Sequence, residues 1–187
     1  MSGVALKGKC EVGSTCSLLQ IVQSYLKGNH EDRLQVAFLM GSFSSSAQQY
    51  VADMIAQVEL AKNMIITDFN VLPGQTQIGV VLYGDQAEVP ITFDDYHDKS
   101  ALLEAMSRIR YPEVGSNIES GVKRAEKMLL QAKQEGVPQM LFVFINDINS
   151  NDHQGVFDSL KESDIDLMVV NMQKVIKGNS SLIGPTR

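Results

Sequence analysis

Apolar positions along the chain fall into two kinds of segment: short, nearly continuous runs, and longer stretches repeating at three- and four-residue steps. Residues 34–40 are of the first kind, too short for an amphipathic helix, and predict a buried strand. Ala47, Tyr50, Val51, Met54, Ile55, Val58, Ala61, Met64 and Ile65 are of the second kind and predict the clearest helix of the chain. Pro73-Gly74 marks a turn. Residues 76–83 predict a second strand, and Gly84-Asp85 a hairpin into a third strand around Glu88–Phe93. A short helix is expected near 99–109, with Leu102, Leu103, Met106 and Ile109 on one side. Gly115-Ser116-Asn117 leads into a helix that turns Ile118, Val122, Ala125, Met128 and Leu129 inward. Met140–Ile145 predicts a fourth strand suited to the middle of a sheet. A helix with Val156, Phe157 and Leu160 inward follows, then a fifth strand over Ile165–Met172. Upstream, residues 17–27 carry an apolar stripe at 18, 19, 22, 25 and 26, with Gly28 as a stop. Residues 173–187 have no clear period and read as an irregular tail.

Strands alternating with helices imply an α/β fold: a doubly wound, mainly parallel sheet with one antiparallel edge strand and helices on both faces. In such sheets, ligands bind outside the carboxyl ends of the strands. The first strand ends there in the serine-rich loop Gly41-Ser-Phe-Ser-Ser-Ser46. Gly115-Ser116-Asn117 and Phe144-Ile145-Asn146-Asp147 return to the same edge.

Composition changes this picture little. The chain has 187 residues, 44% apolar and 20% charged, as expected of one globular domain. A net charge of −6 argues against nucleic acid or an anionic membrane as main partner. No apolar run is long enough to span a membrane. Met1-Ser-Gly-Val lacks the basic start and apolar stretch of a secretion signal, which says little about compartment. Cys10 and Cys16 form a local disulfide if the segment turns at Gly13 in an oxidising compartment; otherwise they are free thiols. Asn179-Ser180-Ser181 fits a glycosylation acceptor, a pattern that recurs by chance.

Nothing in the sequence points to catalysis. His30, His97 and His153 sit in polar segments without a nucleophile nearby, and nucleophile-elbow, phosphate-loop and dinucleotide fingerprints are absent. A small-phosphate or nucleotide site at the serine loop is a third-ranked reading. Asp94-Asp95 with His97 and Asp98 reads as a solvated loop rather than a Ca²⁺ site. The methionines Met54, Met64, Met106 and Met128 sit at core positions. Met40, at the strand end, is expected to be partly exposed and to contribute an apolar protein contact.

The succession of segments over about 34–172 resembles a von Willebrand factor A domain, closest in flavour to those of collagen VI-like matrix proteins. The resemblance implies a metal-ion-dependent adhesion site built from an Asp-x-Ser-x-Ser loop, a Thr and a second Asp. Ser42 and Ser44 match the serines, Ser116 stands at the Thr position, and Asp147 matches the distal Asp. Met40 replaces the first Asp. A shifted register would use Ser44 and Ser46, with Ser42 at the Asp position, and restores no charge. Mg²⁺ needs a near-octahedral oxygen shell, and a thioether is a poor ligand for a hard ion. The expectation is therefore no cofactor, or weak binding of Mg²⁺, Mn²⁺ or Ca²⁺. The bland reading is that Ser44, Ser45 or Ser46 caps the helix at 47 and Asp147 bridges its own loop.

The implied role is a non-enzymatic adhesion module, secreted into the matrix, binding a protein partner such as collagen or another matrix protein. Met40, Phe43, Ser46, Asn117, Asn149 and Asp152 are the candidate contact residues. The rival is a cytoplasmic scaffolding domain of the same fold. The resemblance also implies a further strand and helix after residue 172, for which the sequence offers no good candidate. Residues 1–33, with the helix at 17–27, would fill that slot by permutation or swapping, belong to a preceding domain of a tandem array, or form an unrelated extension. The first is favoured, because an uncovered sheet face is costly at about 25 cal/mol per Å² of apolar area.

Overall fold

A computed structural model describes residues 33–42, 46–112, 114–145 and 155–172. In chain order the elements are β1 (Leu34–Gly41), α1 (Ala47–Asp68), β2 (Thr76–Tyr83), β3 (Ala87–Ile91), α2 (Lys99–Ser107), α3 (Ile118–Ala132), β4 (Gln139–Ile145), α4 (Asp158–Glu162) and β5 (Asp166–Asn171). The strands form one sheet in the order β3-β2-β1-β4-β5. β1 pairs parallel with β2 and β4, and β4 with β5, while β3 runs antiparallel on β2. This is the expected α/β sheet with one antiparallel edge strand.

Helices cover both faces, so the central strands are apolar beyond their first two residues. On one face Val36, Phe38 and Met40 of β1 join Ile78, Val80, Leu82, Phe142 and Phe144 beneath α1 and α2. Phe38 stacks on Phe142 with ring centroids 5.4 Å apart, and Phe69 packs edge-on to both. On the other face Ala37, Leu39, Val81, Tyr83, Leu141 and Val143 meet Ile118, Val122, Ala125 and Leu129 of α3 and Leu160 of α4. Met54, Met64 and Met106 are buried as expected.

Local chemistry sets the boundaries. Ser46 caps α1, its side chain accepting from the Gln49 amide at 3.5 Å. Pro73-Gly74 forms a turn closed by Gln75 N–H on the Leu72 carbonyl (3.0 Å), with Gly74 at φ 77°, the left-handed position that favours glycine. The third strand stops at Ile91, two residues short of expectation, because Asp95 takes the Thr92 amide at 2.6 Å and folds 92–95 into a turn. Asp98 caps α2 through the amides of Ser100 and Ala101. The acidic stretch 94–98 thus has a local structural role.

The amino-terminal ends of three strands carry an amide ladder. Gln35, Gln77 and Gln139 occupy paired positions on adjacent strands. Gln35 Nε2 donates to Gln77 Oε1 (2.9 Å) and the Ala132 carbonyl (2.9 Å). Gln139 Nε2 donates to Gln35 Oε1 (2.8 Å) and the Leu129 carbonyl (2.6 Å). Two carbonyls in the last turn of α3 are thereby satisfied. The expected helix at 17–27, Cys10, Cys16, Asn179 and the tail lie outside the described residues.

Candidate functional site

The parallel register sets Gly41 beside Tyr83, and Leu39 beside Val143, so β1, β2 and β4 end along one rim. The segment before α3 is fastened there. Asn117 N–H donates to the Gly84 carbonyl (3.0 Å), and its Nδ2 to the Asp85 carbonyl (3.5 Å). Gly115 lies so near residues 84–85 that a Cβ there would fall well inside van der Waals contact of the Asp85 amide. Asn117 also caps α3, its Oδ1 accepting from Ser120 N–H at 3.0 Å.

Ser42 and the 115–117 segment therefore reach the same edge, with different access. Ser116, Asn117 and Ser46 are exposed. Ser42 is fully buried, and its Oγ donates to Asp53 Oδ2 of α1 at 2.6 Å. Asp53 Oδ1 accepts from Gln49 Nε2 at 2.7 Å. One turn further along α1, Gln57 bridges Gly41: its Oε1 accepts from the Gly41 amide (3.0 Å) and its Nε2 donates to the Gly41 carbonyl (2.8 Å). Phe43, Ser44, Asp147, Asn149 and Asp152 lie outside the described residues.

The expectation for Met40 is corrected. It is fully buried and belongs to the core under α1, not to an exposed contact. Side chains alternate along a strand, and Met40 shares the parity of Val36 and Phe38, which point inward.

Tyr83 underlies the rim. Its ring lies across Gly41, with its Cβ and Cγ against Gly121 of α3, and its hydroxyl donates to the Phe144 carbonyl of β4 at 3.4 Å. One side chain thus touches three elements that end or begin at the rim. Burial holds the Tyr83 phenol far above its ordinary range, reinforced by Tyr50 and the Asp53 carboxylate. Tyr50 is raised for the same main reason, with Glu88 adding to it, and its hydroxyl donates to the Pro112 carbonyl at 3.1 Å. From Asn117 a cleft of about 490 Å³ continues along α3, lined by Ala87, Ser120, Lys123, Arg124 and Lys127 among others.

Of the four candidate metal ligands, Ser42 is buried with its hydroxyl on an Asp53 oxygen, Ser116 is exposed, and Ser44 and Asp147 lie outside the described residues; position 40 puts a thioether in the core. Among the described residues no group of three or more His, Cys, Asp or Glu is placed to hold an ion. Asp53, Gln57 and Tyr83 were not singled out from the sequence. The signal for the first two was there: Asp53 lies three residues after Tyr50, Gln57 three after Met54 and four before Ala61, as polar positions inside an apolar stripe.

The von Willebrand factor type A domain family matches residues 36–184. Human von Willebrand factor A domain-containing protein 2 is 25% identical over 162 residues, covering 84% of this chain and 21% of that protein, so the chain spans about a fifth of that relative's length. Proximal thread matrix protein 1 from the mussel byssus, solved with a zinc-occupied MIDAS motif, superposes with a TM-score of 0.62 at 17% identity, over 75% of this chain and 36% of that one. The manganese-loaded TRAP protein of Plasmodium vivax gives 0.61 at 14% identity, over 83% and 66%. At these identities the structures speak for the fold. Together with the family match over most of the chain, they establish that this chain belongs to the von Willebrand factor type A domain family.

Proposed function

We propose that this domain is a non-enzymatic protein-binding module of an extracellular matrix or adhesion protein, and that it engages its partner with little or no dependence on divalent cations. The rim carries the contact: Ser46, Ser116 and Asn117 are exposed on it, and Phe43, Asn149 and Asp152 are further candidates from the sequence. The observation that carries the reading is the fastening of the 115–117 segment to the Gly84-Asp85 turn beside the end of β1. It presents polar groups on a preorganised surface, which lowers the ordering cost of binding. The matrix setting is taken from the resemblance of the segment succession over about 34–172 to the A domains of matrix proteins. Cation independence is supported by the thioether at position 40 and the burial of Ser42.

The test is binding to immobilised collagen and other matrix proteins, in EDTA and in MgCl₂ with MnCl₂, for the parent and Ser116→Trp. Binding should survive EDTA and fall by about tenfold or more in the variant. Loss of binding in EDTA would refute cation independence. Failure to bind any matrix protein would refute the proposed partner class.

A further inference from the structure

Asp53 and Gln57 are the two polar residues on the buried face of α1, and both act on the segment where β1 ends. A buried carboxylate is costly unless it is hydrogen-bonded. Here its two oxygens accept from Ser42 Oγ (2.6 Å) and Gln49 Nε2 (2.7 Å), and bonds to an ionised acceptor are about twice as strong as neutral ones. Gln57, four residues on, holds the preceding residue by both backbone groups. Residues i and i+4 of a helix share a face, so one turn of α1 grips Gly41 and Ser42 together. The strand end has no carboxylate at position 40, but a negative oxygen is present in the next layer, supplied from the helix.

We infer that Asp53 is a positioning residue acting through Ser42, and that it does internally what a bound cation would otherwise do at this rim. A cation would order the loop leaving β1 by gathering its oxygens. The Asp53 carboxylate fixes Ser42 itself, by accepting its hydroxyl hydrogen. The Ser42 side chain is fully buried, and its hydroxyl hydrogen is committed to Asp53. Gly41 and Ser42 are thus held in one arrangement without a divalent ion. This rests on the cation-independent reading of the rim, but its test involves no partner, so failure to find a matrix ligand would leave it standing.

The experiment compares the parent, Asp53→Asn, Asp53→Leu and the double variant Met40→Asp/Asp53→Leu. Each is titrated calorimetrically with MnCl₂ and melted in EDTA and in MnCl₂. The parent should give no binding heat and the same melting temperature in both buffers. Asp53→Leu removes the acceptor of Ser42 and Gln49 and should melt about 5 °C or more below the parent. Asp53→Asn keeps an acceptor oxygen, so it should fold even if the leucine variant does not, melt between the two, and give no Mn²⁺ heat. In the double variant a carboxylate returns to the strand end and its competitor on the helix is gone. It should bind Mn²⁺, and the ion should restore part of the lost melting temperature.

Three results would overturn the proposal. One is Mn²⁺ binding by the parent that Asp53→Asn abolishes, which would make Asp53 a ligand rather than a substitute. Another is Asp53→Leu melting with the parent. The third is a double variant that folds and ignores Mn²⁺.

Discussion

Gly41→Ala is the sharpest probe of how the rim is built. An alanine Cβ there would lie 2.5–2.6 Å from three ring atoms of Tyr83, against an optimal carbon–carbon separation of about 3.5–4.0 Å. The ring has little room to retreat. It is fully buried, its Cβ and Cγ face Gly121, where an added Cβ would already sit at 2.9 and 3.3 Å, and its hydroxyl is tied to Phe144. The Gly41 backbone is held as well, by Gln57 on both its amide and its carbonyl. Overpacking of a tight core costs about 1–3 kcal/mol, and with ring and backbone both fixed the upper figure applies. About 3 kcal/mol lowers the melting temperature of a domain this size by roughly 6–12 °C. Urea unfolding should show the loss as a lower midpoint at unchanged slope. Combining Gly41→Ala with Tyr83→Leu should recover part of it, with a coupling of about 1–2 kcal/mol in the double-mutant cycle. A single variant within about 0.5 kcal/mol of the parent, or strict additivity, would refute the picture of Tyr83 wedged across β1.

Other perturbations test the base of the domain. Gln35→Leu removes the centre of the amide ladder, leaving the Ala132 carbonyl without its donor, and should cost about 2–4 kcal/mol by urea unfolding. Gln139→Leu should cost less, because Gln139 already carries a buried oxygen without a hydrogen-bond partner; the reverse order would contradict the ladder. Asp68 is the last residue of α1, where a negative charge opposes the helix dipole, and burial raises its carboxyl above the ordinary range. A folded-state pKa above the unfolded one means that stability is lost as pH rises between the two. Asp68→Asn should therefore stabilise the domain at neutral pH by about 0.5 kcal/mol in thermal unfolding. The advantage should vanish below about pH 4, and a gain that persists there would refute the electrostatic origin.

The elements of the fold could be read from the sequence because each carries its own signal. α1 and α3 show helical periodicity, Ser46, Asn117 and Asp98 supply caps, and Pro73-Gly74 supplies a turn. The direction of Met40 could not be read. β1 is covered on both faces and so loses the polar alternation that would reveal which residues point where. The end of β3 was set by Asp95 competing for the Thr92 amide, a side-chain bond that β propensity does not register. At the rim, the motif led to the hydroxyls but not to Asp53. Its partner Ser42 is eleven residues away, and only the packing of α1 on β1 brings them together.

The strand order has a consequence for how the chain acquires this structure. β1 sits at the centre, yet its neighbours come from far along the chain: Gln35 meets Gln77 and Gln139 across separations of 42 and 104 residues. Among the described strands, β2 and β3 are the sole paired neighbours joined by a short turn with no helix between them. Closing such long loops precedes the contacts that reward it, so folding should be slow for the chain's size, with β1 left as an unpaired apolar segment until late. During that interval its two open edges are the part of the molecule most exposed to pairing with another chain.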